Sequence, residues 1–114
     1  MVDIWEQALK IDLAGRLASA FMSNAMITLD PVEIPVDQDR AEKIQDVMLR
    51  HLGSIGGWKL GATSHAIRQQ LALSRIFFGA LPCDRVVTSG SRLEGPWQSN
   101  VGIETEYAFC LRYD

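Results

Sequence analysis

Midway along the chain the apolar residues change their spacing, and that change limits the fold more than any other feature of the sequence. Up to Gly53 they recur at helical intervals, and after it they fall in short runs broken by Gly, Pro and Ser. Ile4, Ala8, Leu9, Leu13, Leu17, Phe21 and Met22 recur about one helical turn apart, which predicts an amphipathic helix over 2–26. Its stripe is expected to pack on another element or on a second subunit. Gly15 inside the stripe weakens the helix by about 1 kcal/mol relative to Ala. Asp30-Pro31 and Ile34-Pro35 then interrupt helical backbone, because proline restricts the residue before it. Residues 27–36 therefore read as a connection, with Ile27-Thr28-Leu29 a candidate extended piece. A second helix is predicted over 37–52, capped by Asp37, with Ala41, Ile44, Val47, Met48 and Leu52 on one face and Gly53 as its stop signal. Arg50 and His51 fall in its last turn, where positive charge suits the helix dipole, so His51 reads as a helix-end residue rather than a catalyst.

Past Gly53 the signals differ. Ser54-Ile55-Gly56-Gly57 is turn-like, and Trp58-Lys59-Leu60-Gly61-Ala62 predicts a short strand. Thr63 or Ser64 then caps a third helix running to about Leu73. Ile76-Phe77-Phe78-Gly79 is a compact apolar stretch, while Pro82 and Thr88-Ser89-Gly90-Ser91 mark loops. Residues 100–112, rich in β-branched and aromatic side chains, predict a long strand. Helices followed by strands argue an α+β fold, with a helical section over 1–55 and a β-rich section over 56–114.

Composition excludes several classes. At 47% hydrophobic residues the chain has enough apolar material to collapse, so disorder is not expected. The net charge is -3 and basic residues are sparse, Arg68 and Arg75 being the nearest to a patch, so nucleic acid is not an expected partner. No apolar run approaches the roughly 20 residues that span a membrane, and the first residues lack the basic start and apolar run of a signal peptide. Cys83 and Cys110 fit no metal-ligand spacing and read as reduced thiols. A cytoplasmic protein is expected.

Two segments carry chemistry. In Gly102-Ile103-Glu104-Thr105-Glu106-Tyr107-Ala108-Phe109-Cys110-Leu111, a strand would put Glu104 and Glu106 on one face, their Cα atoms roughly 6.5–7 Å apart. Ala108 and Cys110 continue that face. Two like charges so placed either sit on a solvated surface or are held ionised by a cation, for which hard Mg²⁺ or Mn²⁺ is the natural match. In Gly57-Trp58-Lys59-Leu60-Gly61-Ala62-Thr63-Ser64, a lysine stands mid-strand among glycines, which let a ligand approach backbone closely. Lys59 there either stabilises an enolate or carboxylate, or is an exposed lysine on an alternating strand. Thr63 and Ser64 read as helix caps that could also touch a ligand.

Together, in this order and with Lys59 and Glu104 45 residues apart, the two segments resemble the 2-keto-4-pentenoate hydratases of the fumarylacetoacetate hydrolase superfamily. Residues 57–64 resemble that family's G-[YW]-K-[VL]-G-x-T-S stretch, and Ala66 to Leu71 its short helix. Ile103-Glu104-Thr105-Glu106-Tyr107-Ala108-Phe109 resembles its [VI]-E-x-E-[IY]-A-F strand. The resemblance implies the first part of a mixed β-sheet roll. It implies Glu104 and Glu106 as ligands of Mg²⁺ or Mn²⁺, Lys59 as a catalytic residue, and Gly61 and Ser64 as substrate-binding residues. The implied reaction is addition of water to a 2-hydroxypenta-2,4-dienoate to give a 4-hydroxy-2-keto acid, in the breakdown of aromatic compounds, by a homo-oligomer.

The sequence departs from the family in two places. The family's third metal-binding carboxylate belongs to an element beyond Asp114, so the roll is expected to be truncated here and its last strand to present an edge that favours self-association. The segment Leu73-Ser74-Arg75-Ile76-Phe77-Phe78-Gly79 lacks the carboxylate that family members often carry before Phe-Gly. Two alternatives accompany the hydratase reading. One is a 2-oxo-3-hexenedioate decarboxylase, for which Arg75 is the candidate contact to the far carboxylate. The other is an inactive truncated paralogue or interaction fragment.

Overall fold

The computed structural model of the chain describes residues 4–95 and 102–112. Helix α1 spans Ile4–Ser23. Asn24 ends it in left-handed backbone at φ 52°, where the Ala25 N–H donates back to the Ala20 carbonyl at 2.8 Å. Residues 27–36 connect α1 to the second helix, but not as wholly irregular backbone. Asp30 instead caps a 3₁₀ turn over Pro31–Glu33, its side chain accepting from Val32 N–H while the Glu33 carboxylate accepts from Asp30 N–H. Asp37 caps α2, Gln38–Leu49, by accepting from Arg40 N–H at 2.8 Å. The helix is three residues shorter than its apolar spacing suggests. Arg50, His51 and Leu52 donate instead to the third carbonyl before each, a tighter coil that ends at Gly53, φ 77°.

The core lies between α1 and α2. Leu13, Ala14 and Ile44 are buried at its centre, with Leu17, Leu29, Val47 and Met48 packed around them. Ala14, fully buried, lets the helices approach closely.

The β-rich half is smaller than expected. β1, Ile55–Gly61, and β2, Phe77–Pro82, form a two-stranded antiparallel sheet, joined by the short helix α3, His65–Gln70. Residues 54–57, expected to turn, mostly belong to β1, and the glycines there accommodate a bulge between Ile55 and Gly57. Pro82, expected in a loop, closes β2 opposite Ile55, a strand-end position where a missing N–H costs little. Ser64 caps α3, accepting from Ile67 N–H at 3.2 Å. Leu73 N–H to Arg68 carbonyl and Ala72 N–H to Gln69 carbonyl then close the helix, with Ala72 at φ 54° in the place usually given to glycine.

The long strand expected over 100–112 is not formed. Residues 102–112 have no regular secondary structure and are exposed, and positions 100 and 101 lie outside the described residues. Strand propensity alone does not hold a strand, because its backbone groups need a paired neighbour, and no described strand pairs with this segment.

The sheet is tied to the helix pair largely by polar clamps. Arg75 bridges Asp39 and Glu42 of α2 at 2.7 and 2.8 Å. Gln38 donates to the Ile76 carbonyl at 2.9 Å, which leaves its own Oε1 buried without a partner. Arg85, after β2, donates to the Phe21 carbonyl near the C-terminus of α1 and stacks on the Phe21 ring at 5.2 Å.

Candidate functional site

Antiparallel register decides what surrounds Lys59. Gly57, Lys59 and Gly61 of β1 stand opposite Leu81, Gly79 and Phe77 of β2, and paired residues share a face. Lys59 therefore rises from a strip flanked by three glycines, with no side chain beside it along its own strand. The Phe77 ring fills the space over Gly61, where an added Cβ would run into the ring. The opposite face carries Trp58, Leu60 and Phe78, with Trp58 and Phe78 in an edge contact at 5.5 Å.

The second segment reaches this strip. Lys59 Nζ lies 2.6 Å from Glu106 Oε1 and 2.9 Å from Glu104 Oε2. The two carboxylates share a side, as the alternation argument expects, although the segment has not formed a strand. Glu106 first, and Glu104 second, push the Lys59 ammonium pKa above its usual value, so it stays protonated. All three side chains remain open to solvent.

The other residues singled out from the sequence have structural work. Gly61 gives the Phe77 ring its seat. The Ser64 hydroxyl oxygen caps α3. Between them Ala62 adopts left-handed backbone at φ 54°, and Arg68 holds the loop by donating to the Ala62 and Thr63 carbonyls at 2.9 and 2.8 Å. Gly79 and Phe77 belong to the site and escape a reading of single segments. The glycine ending Phe77-Phe78-Gly79 was the visible signal, but only the register places it opposite Lys59. His51 is an exposed turn residue, and Cys83 and Cys110 are exposed free thiols.

Among the described residues no group of three or more His, Cys, Asp or Glu side chains is placed to hold a metal ion. Two carboxylates do converge on one positive charge, that of Lys59. Their oxygens suit a hard divalent cation, to the extent of an open site with two protein ligands and water. A separate groove of about 680 Å³ runs between α2 and the turn before β2, lined by Val36, Gln38, Leu71, Leu73, Phe77 and Phe78. No described helix is long and apolar enough to cross a membrane. Comparison with protein-family models, with curated proteins and with solved structures gives no match.

Proposed function

We propose that the chain acts as a metal-dependent hydratase similar to the 2-keto-4-pentenoate hydratases, with Lys59, Glu104 and Glu106 at its centre. The substrate class is a 2-hydroxypenta-2,4-dienoate and the product a 4-hydroxy-2-keto acid, within cytoplasmic breakdown of aromatic compounds. In this reading the sheet is the start of a fumarylacetoacetate hydrolase-type roll. The observation that carries it is the meeting of two segments, 45 residues apart in sequence, at one ion-pair cluster: Lys59 touches both Glu104 and Glu106.

Glu104 and Glu106 are the residues that would hold Mg²⁺ or Mn²⁺. The cation's chemistry there is Lewis-acid polarisation of the substrate's carboxylate and 2-oxo end. Lys59 keeps its proton and offers a directed positive charge to the oxygen where negative charge develops as the enol becomes a ketone. Gly57, Gly61 and Gly79 leave the strip beside Lys59 without side chains, so a flat conjugated acid can lie against the sheet, with the Phe77 ring as its wall. Ser64 is proposed to donate its O–H to the substrate while its oxygen caps α3. Decarboxylation of a longer diacid is less well supported, because Arg75, the candidate contact to a far carboxylate, is already held by Asp39 and Glu42.

The test is turnover of 2-hydroxypenta-2,4-dienoate, followed by loss of dienol absorbance, with and without Mn²⁺. Turnover is expected only with metal, and Lys59→Met and Glu104→Gln/Glu106→Gln are expected to reduce it at least ~100-fold, the usual effect of removing one charge-stabilising group. Equal rates in all three proteins, or no metal-dependent turnover in the unaltered chain, would overturn the reading.

A further inference from the structure

We propose that Lys59 is a built-in competitor for the cation place between Glu104 and Glu106, and that it turns to a substrate anion only when a divalent metal takes that place. The proposal rests on the metal-dependent reading above and adds an order to it, metal before substrate. Lys59 Nζ lies 2.6 Å from Glu106 Oε1 and 2.9 Å from Glu104 Oε2, so one ammonium bridges both carboxylates. Mg²⁺ takes carboxylate oxygens at about 2.0–2.1 Å. A cation bridging the same two oxygens would stand where Nζ stands, and two positive charges repel too strongly to share that space. The ammonium and the metal are therefore alternative occupants of one pair of carboxylates.

The surroundings give the lysine somewhere to go. Gly79 stands opposite it on β2 and Gly57 lies on its face of β1, so its flexible four-carbon stem can swing over bare backbone. Lys59, Glu104 and Glu106 are all open to solvent, so the exchange asks nothing of the core. Charge then sets the order. One lysine against two glutamates leaves the cluster net negative, which repels a carboxylate substrate and keeps the ammonium engaged. With a divalent cation on the pair the cluster is net positive, and the three N–H donors of Lys59 are released to an anionic acid.

Calorimetric Mn²⁺ titration of the unaltered chain, Lys59→Met and Lys59→Arg reads the competition. Lys59→Met should bind Mn²⁺ about 10-fold more tightly than the unaltered chain, the scale of two exposed charge contacts removed. Lys59→Arg, whose guanidinium matches carboxylates bidentately, should bind it no more tightly than the unaltered chain. Displacement is read separately by labelling the three lysines, Lys10, Lys43 and Lys59, with ¹³C at Cε for NMR. As Mg²⁺ is added, the Lys59 signal, identified by its loss in Lys59→Met, should shift in step with binding while the other two hold their places. Equal Mn²⁺ affinity in Lys59→Met and the unaltered chain overturns the proposal but leaves the metal site standing, with the ion on the outer carboxylate oxygens and Lys59 in place. A Lys59 signal that stays fixed while Mg²⁺ binds does the same. No Mn²⁺ binding by any of the three chains overturns the metal-dependent reading itself, and this proposal with it.

Discussion

At the junction of α1 and the loop that follows it, Glu33 serves two donors at once. Its carboxylate accepts from the Arg16 guanidinium and from the backbone N–H of Asp30, closing the cap of the 3₁₀ turn. Arg16 first, and the Asp30 N–H second, hold the Glu33 carboxyl below the usual carboxylate range. A carboxyl whose folded pKa lies below its unfolded value of about 4.3 adds stability above that pH and loses it as pH falls through the folded value. The unfolding free energy of the unaltered chain should therefore exceed that of Arg16→Met near neutrality. The difference should shrink steadily as the solution is acidified below about pH 4.3, the unfolded glutamate value. Denaturant titration at several pH values measures it. A difference that stays constant on acidification would show that Arg16 acts by packing its stem rather than through Glu33.

At the scale of elements, each strand of the sheet supplies what the other lacks. Gly61 is bare and Phe77 stands opposite it, so the ring lies where a side chain would be. Gly61→Ala should destabilise by about 1–3 kcal/mol, the range for overpacking, and nearer the low end because the half-exposed Phe77 ring can swing outward. Adding Phe77→Ala should return most of that loss by removing the ring the new methyl meets, which thermal unfolding of the two variants and Phe77→Ala alone would read as non-additive. Strict additivity would contradict the contact. The helices behave more simply, because their determinants are local. Asp37 and Ser64 cap their own helices, and Leu13, Leu17, Ile44 and Val47 share the period that buries them. All of this could be read along the chain. The stop of α3 at Gln70 could not, because left-handed closure by Ala72 at a position usually given to glycine carries no compositional signal.

For the whole molecule, what decides structure is which segments find partners, and a linear reading sees this least. Residues 102–112 carry the strongest strand pattern in the chain and form no strand, whereas Ser54-Ile55-Gly56-Gly57 reads as a turn and contributes to β1. The difference is pairing: β1 has β2 beside it, and residues 102–112 reach Lys59 but pair with no strand among the described residues. The candidate site was half legible for the same reason. Lys59, Glu104 and Glu106 stand out because charged groups in apolar, glycine-rich settings need a partner. Gly79 and Phe77 enter only through the register, and Lys59 itself occupies the place between the carboxylates that the sequence assigns to a cation. Polar clamps through Arg75, Gln38 and Arg85, rather than one continuous apolar core, fasten the sheet that carries this site to the helices.

The central claim is that Glu104 and Glu106 form a cation site, and Mn²⁺ titration of the full chain by calorimetry tests it most directly, with Glu104→Gln/Glu106→Gln as the comparison. One Mn²⁺ per chain is expected to bind the unaltered protein, and removing both ligand charges is expected to abolish the binding heat. Equal heats in the two proteins, or none in the unaltered chain, would mean that the carboxylates serve Lys59 alone and that the metal-dependent hydratase reading is wrong.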